Sequence, residues 1–336
     1  NLSALCGKLP AFQVSAFKLH PSPMNILVTG AAGFIGSHLV DALLARGHRV
    51  VGVDNLSLGT RANLRAVLEN PFFKLIEYDI SEEKFVETFD PGCKIDWVWH
   101  MAANSDIPAG VDDANVDFKD TFLTTFRVLA WMRKNSVPRL AFASTSAVYG
   151  LRDEPITEDS GPMLPISNYG AMKLASEACI SAAAEAWLGR ADIFRFPNVI
   201  GSRATHGALF DFVRRLRQKP AQLEVLGDGT QQKPYLHVAN LVEAMLFIAD
   251  HAKGKFNYFN VGPEDNVSVR AMAEEVVVQA APGAKIIYGT DSRGWVGDVP
   301  KFRYSTAKLR DLGWDAQMTS PEAVKLAVSE IVAENL

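Results

Sequence analysis

The stretch Asn25-Ile26-Leu27-Val28-Thr29-Gly30-Ala31-Ala32-Gly33-Phe34-Ile35-Gly36 decides the fold. An apolar strand runs into a turn punctuated by glycines, and a helical pattern begins at Ile35. Gly30 permits the turn, Gly33 lets the backbone approach a pyrophosphate, and Gly36 allows close packing of helix against strand. The helix start, with Phe34 and Ile35 in it, offers N–H donors and the positive end of its dipole to the phosphates. The spacing is Gly-x-x-Gly-x-x-Gly rather than the Gly-x-Gly-x-x-Gly of many dehydrogenases, so the reading leans on the turn's place between strand and helix.

Outward from this turn the chain alternates apolar strands with helical stretches. Strands are predicted at Asn25–Thr29, Arg49–Asp54, Phe72–Glu77, Trp97–His100, Arg139–Ser144 and Ala191–Arg195. Helices are predicted at Ile35–Arg46, Arg61–Leu68, Glu82–Phe89, Asn115–Lys134 and Tyr169–Trp187. That alternation implies an α/β fold of Rossmann type, a doubly wound parallel sheet covered on both faces. After Pro197 the regularity breaks. Helical runs at Leu209–Arg217, Asn240–Asp250, Val269–Val278 and Pro321–Ala333 are read as a smaller C-terminal substrate-binding part, fed partly by late sheet strands. The expected division is therefore an extension or tag at 1–23, a dinucleotide-binding and catalytic part at 24–197, and a mainly substrate-binding part at 198–336.

Asp54 ends the second strand about twenty residues after the first glycine. A carboxylate there accepts from both ribose hydroxyls and repels a 2′-phosphate, which favours NAD over NADP. Capping of the next turn together with Asn55 is the plainer role, and Arg61 leaves NADP open. Asp79 and Ile80 end the third strand and are placed to flank the adenine; Ala102 and Ala103, after the fourth, leave room for the cofactor.

The chain has 336 residues, 21% charged and 48% hydrophobic, with net charge −4, the profile of an ordinary soluble globular protein. Such a balance gives no electrostatic case for nucleic acid or an anionic membrane, and no apolar run is long enough to span a bilayer. Three scattered cysteines (Cys6, Cys93, Cys179) lack metal-ligand spacing, so no metal is expected and the thiols read as reduced in a cytosolic protein.

Tyr169 and Lys173 share a helix face at i and i+4. A free phenol, with a pKa near ~10, is a poor base at neutral pH, and an ammonium beside it favours the phenolate. Phe142-Ala143-Ser144-Thr145-Ser146-Ala147-Val148-Tyr149-Gly150 runs off the fifth strand, where sheets of this kind bind ligands and where a hydroxyl can hold a reacting oxygen.

Taken together, the turn Thr29–Gly36, Asp54, His100-Met101-Ala102-Ala103, Ser144-Thr145 before Val148-Tyr149-Gly150, Tyr169-x-x-x-Lys173 and Arg195-Phe196-Pro197-Asn198 resemble the extended short-chain dehydrogenase/reductase family, in its nucleotide-sugar epimerase/dehydratase branch. The resemblance covers nearly everything after Met24. It implies Tyr169 as acid/base, Lys173 lowering its pKa and holding the nicotinamide ribose, Thr145 bonding the sugar hydroxyl with Ser146 beside it, and Phe196 near the cofactor. It also implies C4 oxidation by NAD, rotation of the keto sugar and hydride return. Dehydratases of the family place Asp-Glu after the threonine, and the decarboxylases carry Glu where Ala147 stands; here the residues are Ser146-Ala147. Epimerisation needs neither carboxylate, so a 4-epimerase acting on a UDP-hexose is expected. A keto-sugar reductase or dehydratase is the alternative, and a catalytically silent dinucleotide sensor is the reading from another class.

For the nucleotide-sugar the resemblance implies Asn198 at a phosphate, Lys233 where relatives carry arginine, and Arg293 with Asp298 in a late loop closing over the nucleotide. Pro234 replaces the usual acidic residue after Lys233, and lysine cannot form arginine's bidentate fork. The helices at Asn115–Lys134 and Tyr169–Trp187 correspond to those that pair across a two-fold axis into a four-helix bundle, which implies a homodimer. Supply of surface-polysaccharide precursors in the cytoplasm is the family-level expectation for pathway and place.

Overall fold

The computed structural model describes residues 22–291 and 302–334. Arg293 and Asp298, and all but two residues of the expected extension, lie outside the described residues.

Alternation within each strand explains the central layer. In β1 (Asn25–Thr29) Ile26 and Val28 face one core and Leu27 the other. The same split separates Trp97 and Trp99 from Val98 in β4 (Trp97–His100), and Ala141 and Ala143 from Leu140 and Phe142 in β5 (Arg139–Thr145). Strands apolar on both faces can only lie inside a covered sheet. With β2 (Arg49–Asp54), β3 (Phe73–Glu77) and β6 (Arg190–Phe196) they form a parallel sheet closed at one edge by the strand Phe256–Asn260. Its order is Phe256–Asn260, β6, β5, β4, β1, β2, β3. The chain leaves β1 toward β2 and β3, then returns to place β4 on the other side, so the crevice opens between the C-terminal ends of β1 and β4.

One face is covered by α1 (Phe34–Ala45) and the helix Val238–His251, the other by the helices Thr124–Lys134 and Asn168–Ala186. Residues after Pro197 thus supply one strand and one helix of the central layers. The remainder builds a third core around Leu209, Phe212, Leu223, Met272 and Val324.

The six predicted strands are present within one residue at each end. Two predicted helices are shorter than expected. Arg61–Leu68 holds only one 3-10 turn, Arg61–Leu64, and Glu82–Phe89 only the turn Phe85–Thr88. Pro91, three residues past Thr88, keeps the second from extending. Asn115–Lys134 is helical throughout but not uniform: Ala114–Asp117 is α, Phe118–Leu123 widens into a π-helix, and α geometry resumes at Thr124. Such wide turns gather at functional sites.

Candidate active site

The glycine turn closes on itself. Gly30 has φ +66°, and a Cβ there would lie 2.8 Å from the Ala102 nitrogen, so the turn and the loop after β4 touch backbone to backbone. Gly36 packs against the turn rather than a strand, since a Cβ on it would lie 2.0 Å from the Gly30 carbonyl oxygen. No side chain caps the start of α1, where Gly33 is the N-cap, and no acidic residue sits in its first turn. Phe34 and Ile35 thus begin a helix whose first N–H groups face outward with no carboxylate competing for them, an arrangement that fits a pyrophosphate.

Asp54 is buried at the end of β2. Its carboxylate accepts from Ala32 N–H at 2.9 Å and Leu56 N–H at 2.8 Å, one on each oxygen. Burial pushes its pKa up while these N–H groups pull it back. Asn55 accepts from Ser57, so both residues shape the following turn, and each Asp54 oxygen keeps a lone pair for a ribose hydroxyl. Asp79 is partly exposed and Lys119 lies 3.7 Å away; the Ser81 hydroxyl and N–H and Lys119 outweigh burial and hold its carboxyl below the usual value. Ile80 and Phe196 are buried in the cores on opposite faces of the sheet.

His100 is structural. Thr29 Oγ1 accepts from the Met101 and Ala102 N–H groups, both at 3.1 Å, so its own proton goes to His100 Nδ1 at 2.6 Å. Thr125 donates to the Thr121 carbonyl, and His100 Nε2–H therefore donates to Thr125 at 3.1 Å. Complete burial, then the Lys173 charge, holds the imidazole neutral with a pKa of about 3. This chain of bonds fixes the loop carrying Ala102 and Ala103 beside the glycine turn.

The structure brings Thr145, Tyr169 and Lys173 together. Thr145 ends β5 and caps the 3-10 turn Ser146–Tyr149, accepting from Ala147 N–H at 3.1 Å, with half-buried Ser146 the first residue of that turn. Tyr169 and Lys173 lie on the helix Asn168–Ala186, which the Ser167 hydroxyl caps at the Gly170 N–H. The helix sits close because Gly170 replaces a side chain whose Cβ would meet the Ala147 carbonyl at 2.7 Å. The Thr145 hydroxyl lies close enough to the Tyr169 phenol to lower its pKa. Lys173 is buried, donates to the Ala143 carbonyl at 2.7 Å, and lies 4.8 Å from the Phe142 ring centre and 5.8 Å from that of Tyr169.

Their electrostatics differ from the expectation. Tyr169 is half-buried by surface area, but its oxygen is crowded, and that burial pushes its pKa well above the ordinary phenol value; Asp117 adds to the rise and only the Thr145 bond opposes it. The ammonium does not lead, because its nearest partner is a carbonyl rather than the phenol. Burial lowers Lys173 to about 7, with Glu177 and then Asp117 pulling it back.

Below the pair lies a buried ionic hub that sequence reasoning passed over. Glu177 receives Arg195 through three bonds, at 2.6, 3.0 and 3.2 Å, and the Ser144 hydroxyl. Arg195 also donates to Tyr149 at 2.8 Å, and Tyr149 to Asn260 at 2.7 Å. An arginine between two phenylalanines of β6, and a carboxylate four residues beyond Lys173, were the available signals.

The residues expected at the nucleotide-sugar sit on short strands after β6. Asn198 is exposed at the start of the short strand Asn198–Ile200, paired with Tyr235–His237; Lys233 is buried in Gln232–Lys233, paired antiparallel with Val267–Ser268. Arg203 pairs with Asp41 of α1 at 2.7 Å.

A switch-point crevice with a glycine turn on one side and a Thr–Tyr–Lys cluster on the other defines a class, the dinucleotide-dependent enzymes that move a proton and a hydride on one carbinol. The chain belongs to the NAD dependent epimerase/dehydratase family, which it matches over residues 26–262. It is 32% identical over 315 residues to the UDP-glucose 4-epimerase of Corynebacterium glutamicum, with 88% of this chain and 92% of that protein covered. Among solved structures it resembles a UDP-galactose 4-epimerase (TM-score 0.82, 38% identity, 93% and 100% covered). It also resembles the Thermus thermophilus UDP-glucose 4-epimerase in complex with NAD (TM-score 0.81, 29% identity, 92% and 99% covered).

Proposed function

We propose that this protein is an NAD-dependent nucleotide-sugar 4-epimerase whose substrates are UDP-hexoses. The observation that carries the reading is the meeting of Tyr169 and Thr145 beside a buried lysine, with Ser146-Ala147 following where an eliminating enzyme of the family has carboxylates. When bound, NAD supplies the acceptor and later the donor of the C4 hydride. Residues of the glycine turn, Asp54, Asn55, Asp79, Ile80, Ala102, Ala103 and Phe196 would hold it. Tyr169 takes the C4 hydroxyl proton at its phenol oxygen, and Thr145 holds the same hydroxyl in line. Lys173 keeps a positive charge one helical turn away, which favours loss of the phenol proton. Once the sugar has turned as a 4-ketone, Tyr169 returns the proton as the hydride comes back. Residues 198–336, with Asn198 and Lys233, and Arg293 and Asp298 outside the described residues, are assigned to the nucleotide-sugar.

Purified protein should interconvert UDP-glucose and UDP-galactose without added NADH, followed by coupled assay or anomeric proton NMR. Stoichiometric consumption of NADH would replace the reading by a reductase, and binding of NAD with no turnover by a sensor.

A homodimer is part of the proposal. Phe118, Phe122 and Phe126 recur every four residues along one rod, their rings 6.0 and 6.4 Å apart, with Phe118 and Phe126 about half exposed. An aromatic stripe of this kind is an interface signature. Phe126→Asp should turn the dimer into a monomer in sedimentation velocity; a wild-type monomer at micromolar concentration would exclude the dimer. Among the described residues no helix is long and apolar enough to cross a membrane. A cytoplasmic place and a role in polysaccharide precursor supply complete the proposal on family grounds.

A further inference from the structure

A buried carboxylate next to the Tyr169–Lys173 pair leaves half of its bonding capacity unused. Asp117 ends the turn Ala114–Asp117, where the π-helix Phe118–Leu123 opens, and none of its surface is exposed. Its Oδ1 accepts from Asn104 Nδ2 at 2.9 Å, and the Thr121 hydroxyl lies beside the carboxylate and helps hold its pKa down. Its Oδ2 has no partner. That oxygen rests on Gly110, where a Cβ would come within 1.8 Å of it, and the Gly110 carbonyl accepts from Asn168, the residue before Tyr169, at 2.8 Å. The carboxylate is thus built into the wall between the loop after β4 and the start of the helix that carries Tyr169.

Two carboxylates act on Lys173, and they are not equivalent. Glu177 is met on the spot by the Arg195 guanidinium, so most of its charge is cancelled. Among the described residues no cation lies within ion-pair distance of Asp117; an amide and a hydroxyl are its partners. Burial pushes the Asp117 carboxyl up, and Asn104 and Thr121 pull it back; in its ionised form it is met only by neutral donors, and it biases Tyr169 and Lys173 toward their protonated forms. The other titratable neighbours are Asp120 in the π-helix and Asp106 in the loop, whose carbonyl accepts from the same Asn104 amide.

We propose that Asp117 is a third ionisable member of the active site, the counter-charge of the Tyr169–Lys173 pair. It keeps the lysine cationic where burial would strip its proton, and it restrains the tyrosine from ionising before substrate arrives. The rate part of this inference rests on the epimerase reading; the titration part does not.

The sign is definite. Removing a negative charge lowers the proton affinity of both groups, so in Asp117→Asn the phenol ionises and the lysine loses its proton at lower pH. Both limbs of kcat against pH should therefore move together toward acid by about one pH unit or more. A merely structural aspartate would lower kcat and leave both limbs in place. The decisive measurement needs no substrate. In NAD-loaded protein, the phenolate absorbance that disappears in Tyr169→Phe reports Tyr169 ionisation in each background. Its midpoint should fall by about one pH unit in Asp117→Asn, and in Asp117→Ser as a second variant with less bulk. An unmoved midpoint in a folded variant overturns the proposal. A moved midpoint in a protein without epimerase turnover would uphold Asp117 and defeat the epimerase reading.

Discussion

Tyr169→Phe is expected to keep the fold and the NAD content and to lose turnover by roughly 10²–10⁴-fold, the range for removing a positioned acid–base group. The change deletes one oxygen. That oxygen bonds Thr145, which keeps its separate bond from the Ala147 N–H, so the strand end and its 3-10 turn survive. Little stability should be lost, because one neutral hydroxyl is removed and the ring packing stays. Thr145→Ala is a less clean comparison, since it takes away the turn cap together with the sugar contact; Thr145→Ser should recover most of both. The experiment is kcat and KM by coupled assay, with bound NAD measured after denaturation. Turnover of Tyr169→Phe within tenfold of wild type would remove the phenol from the proton path.

Much of this site could be read from order along the chain, because its parts sit at the ends of strongly patterned elements. Apolar runs mark β1, β4 and β5, and a parallel sheet places their C-terminal ends side by side whatever lies between. That is why Thr145, Tyr169 and Lys173 were nameable before their contact was seen. The strand Phe256–Asn260 escaped for the opposite reason. Its sequence Phe-Asn-Tyr-Phe-Asn has no clean apolar run, and its place at the sheet edge is decided by pairing with β6, a contact some sixty residues away in sequence. Asp117 and Glu177 escaped because a carboxylate in a helix reads as surface; only the packing shows that Asp117 is enclosed and that Glu177 faces Arg195. The state of the phenol was also hidden. Spacing puts a lysine near a tyrosine, but which neighbour dominates depends on how tightly the oxygen is crowded and where the ammonium's hydrogen bond goes, and here it goes to the Ala143 carbonyl.

Gly36→Ala should cost both cofactor and stability, although alanine in a helix interior usually helps by about 1 kcal/mol. The reason is a single distance. The added methyl would lie 2.0 Å from the Gly30 carbonyl oxygen and 2.8 Å from its carbon, and both are backbone atoms of a turn with φ +66° at Gly30. The turn has no free direction in which to yield, since a Cβ on Gly30 would already meet the Ala102 backbone at 2.8 Å on its other side. Relief must come from sliding α1 off the turn, which breaks the Ser37 N–H bond to the Gly33 carbonyl and moves the helix start away from any phosphate. Overpacking of this kind costs about 1–3 kcal/mol, so Tm should drop by on the order of 5 °C, with bound NAD falling at least tenfold. Gly33→Ala separates the two effects. Its φ is −73°, comfortable for alanine, and its methyl would meet only the Gly30 oxygen at 3.2 Å. That variant should melt close to wild type yet lose NAD, because the methyl stands where a pyrophosphate must approach the backbone. If Gly33→Ala retains NAD at wild-type occupancy while Gly36→Ala loses it, the phosphates do not lie over Gly33. The turn would then serve the fold through Gly36 and leave the cofactor to Asp54 and the loop after β4.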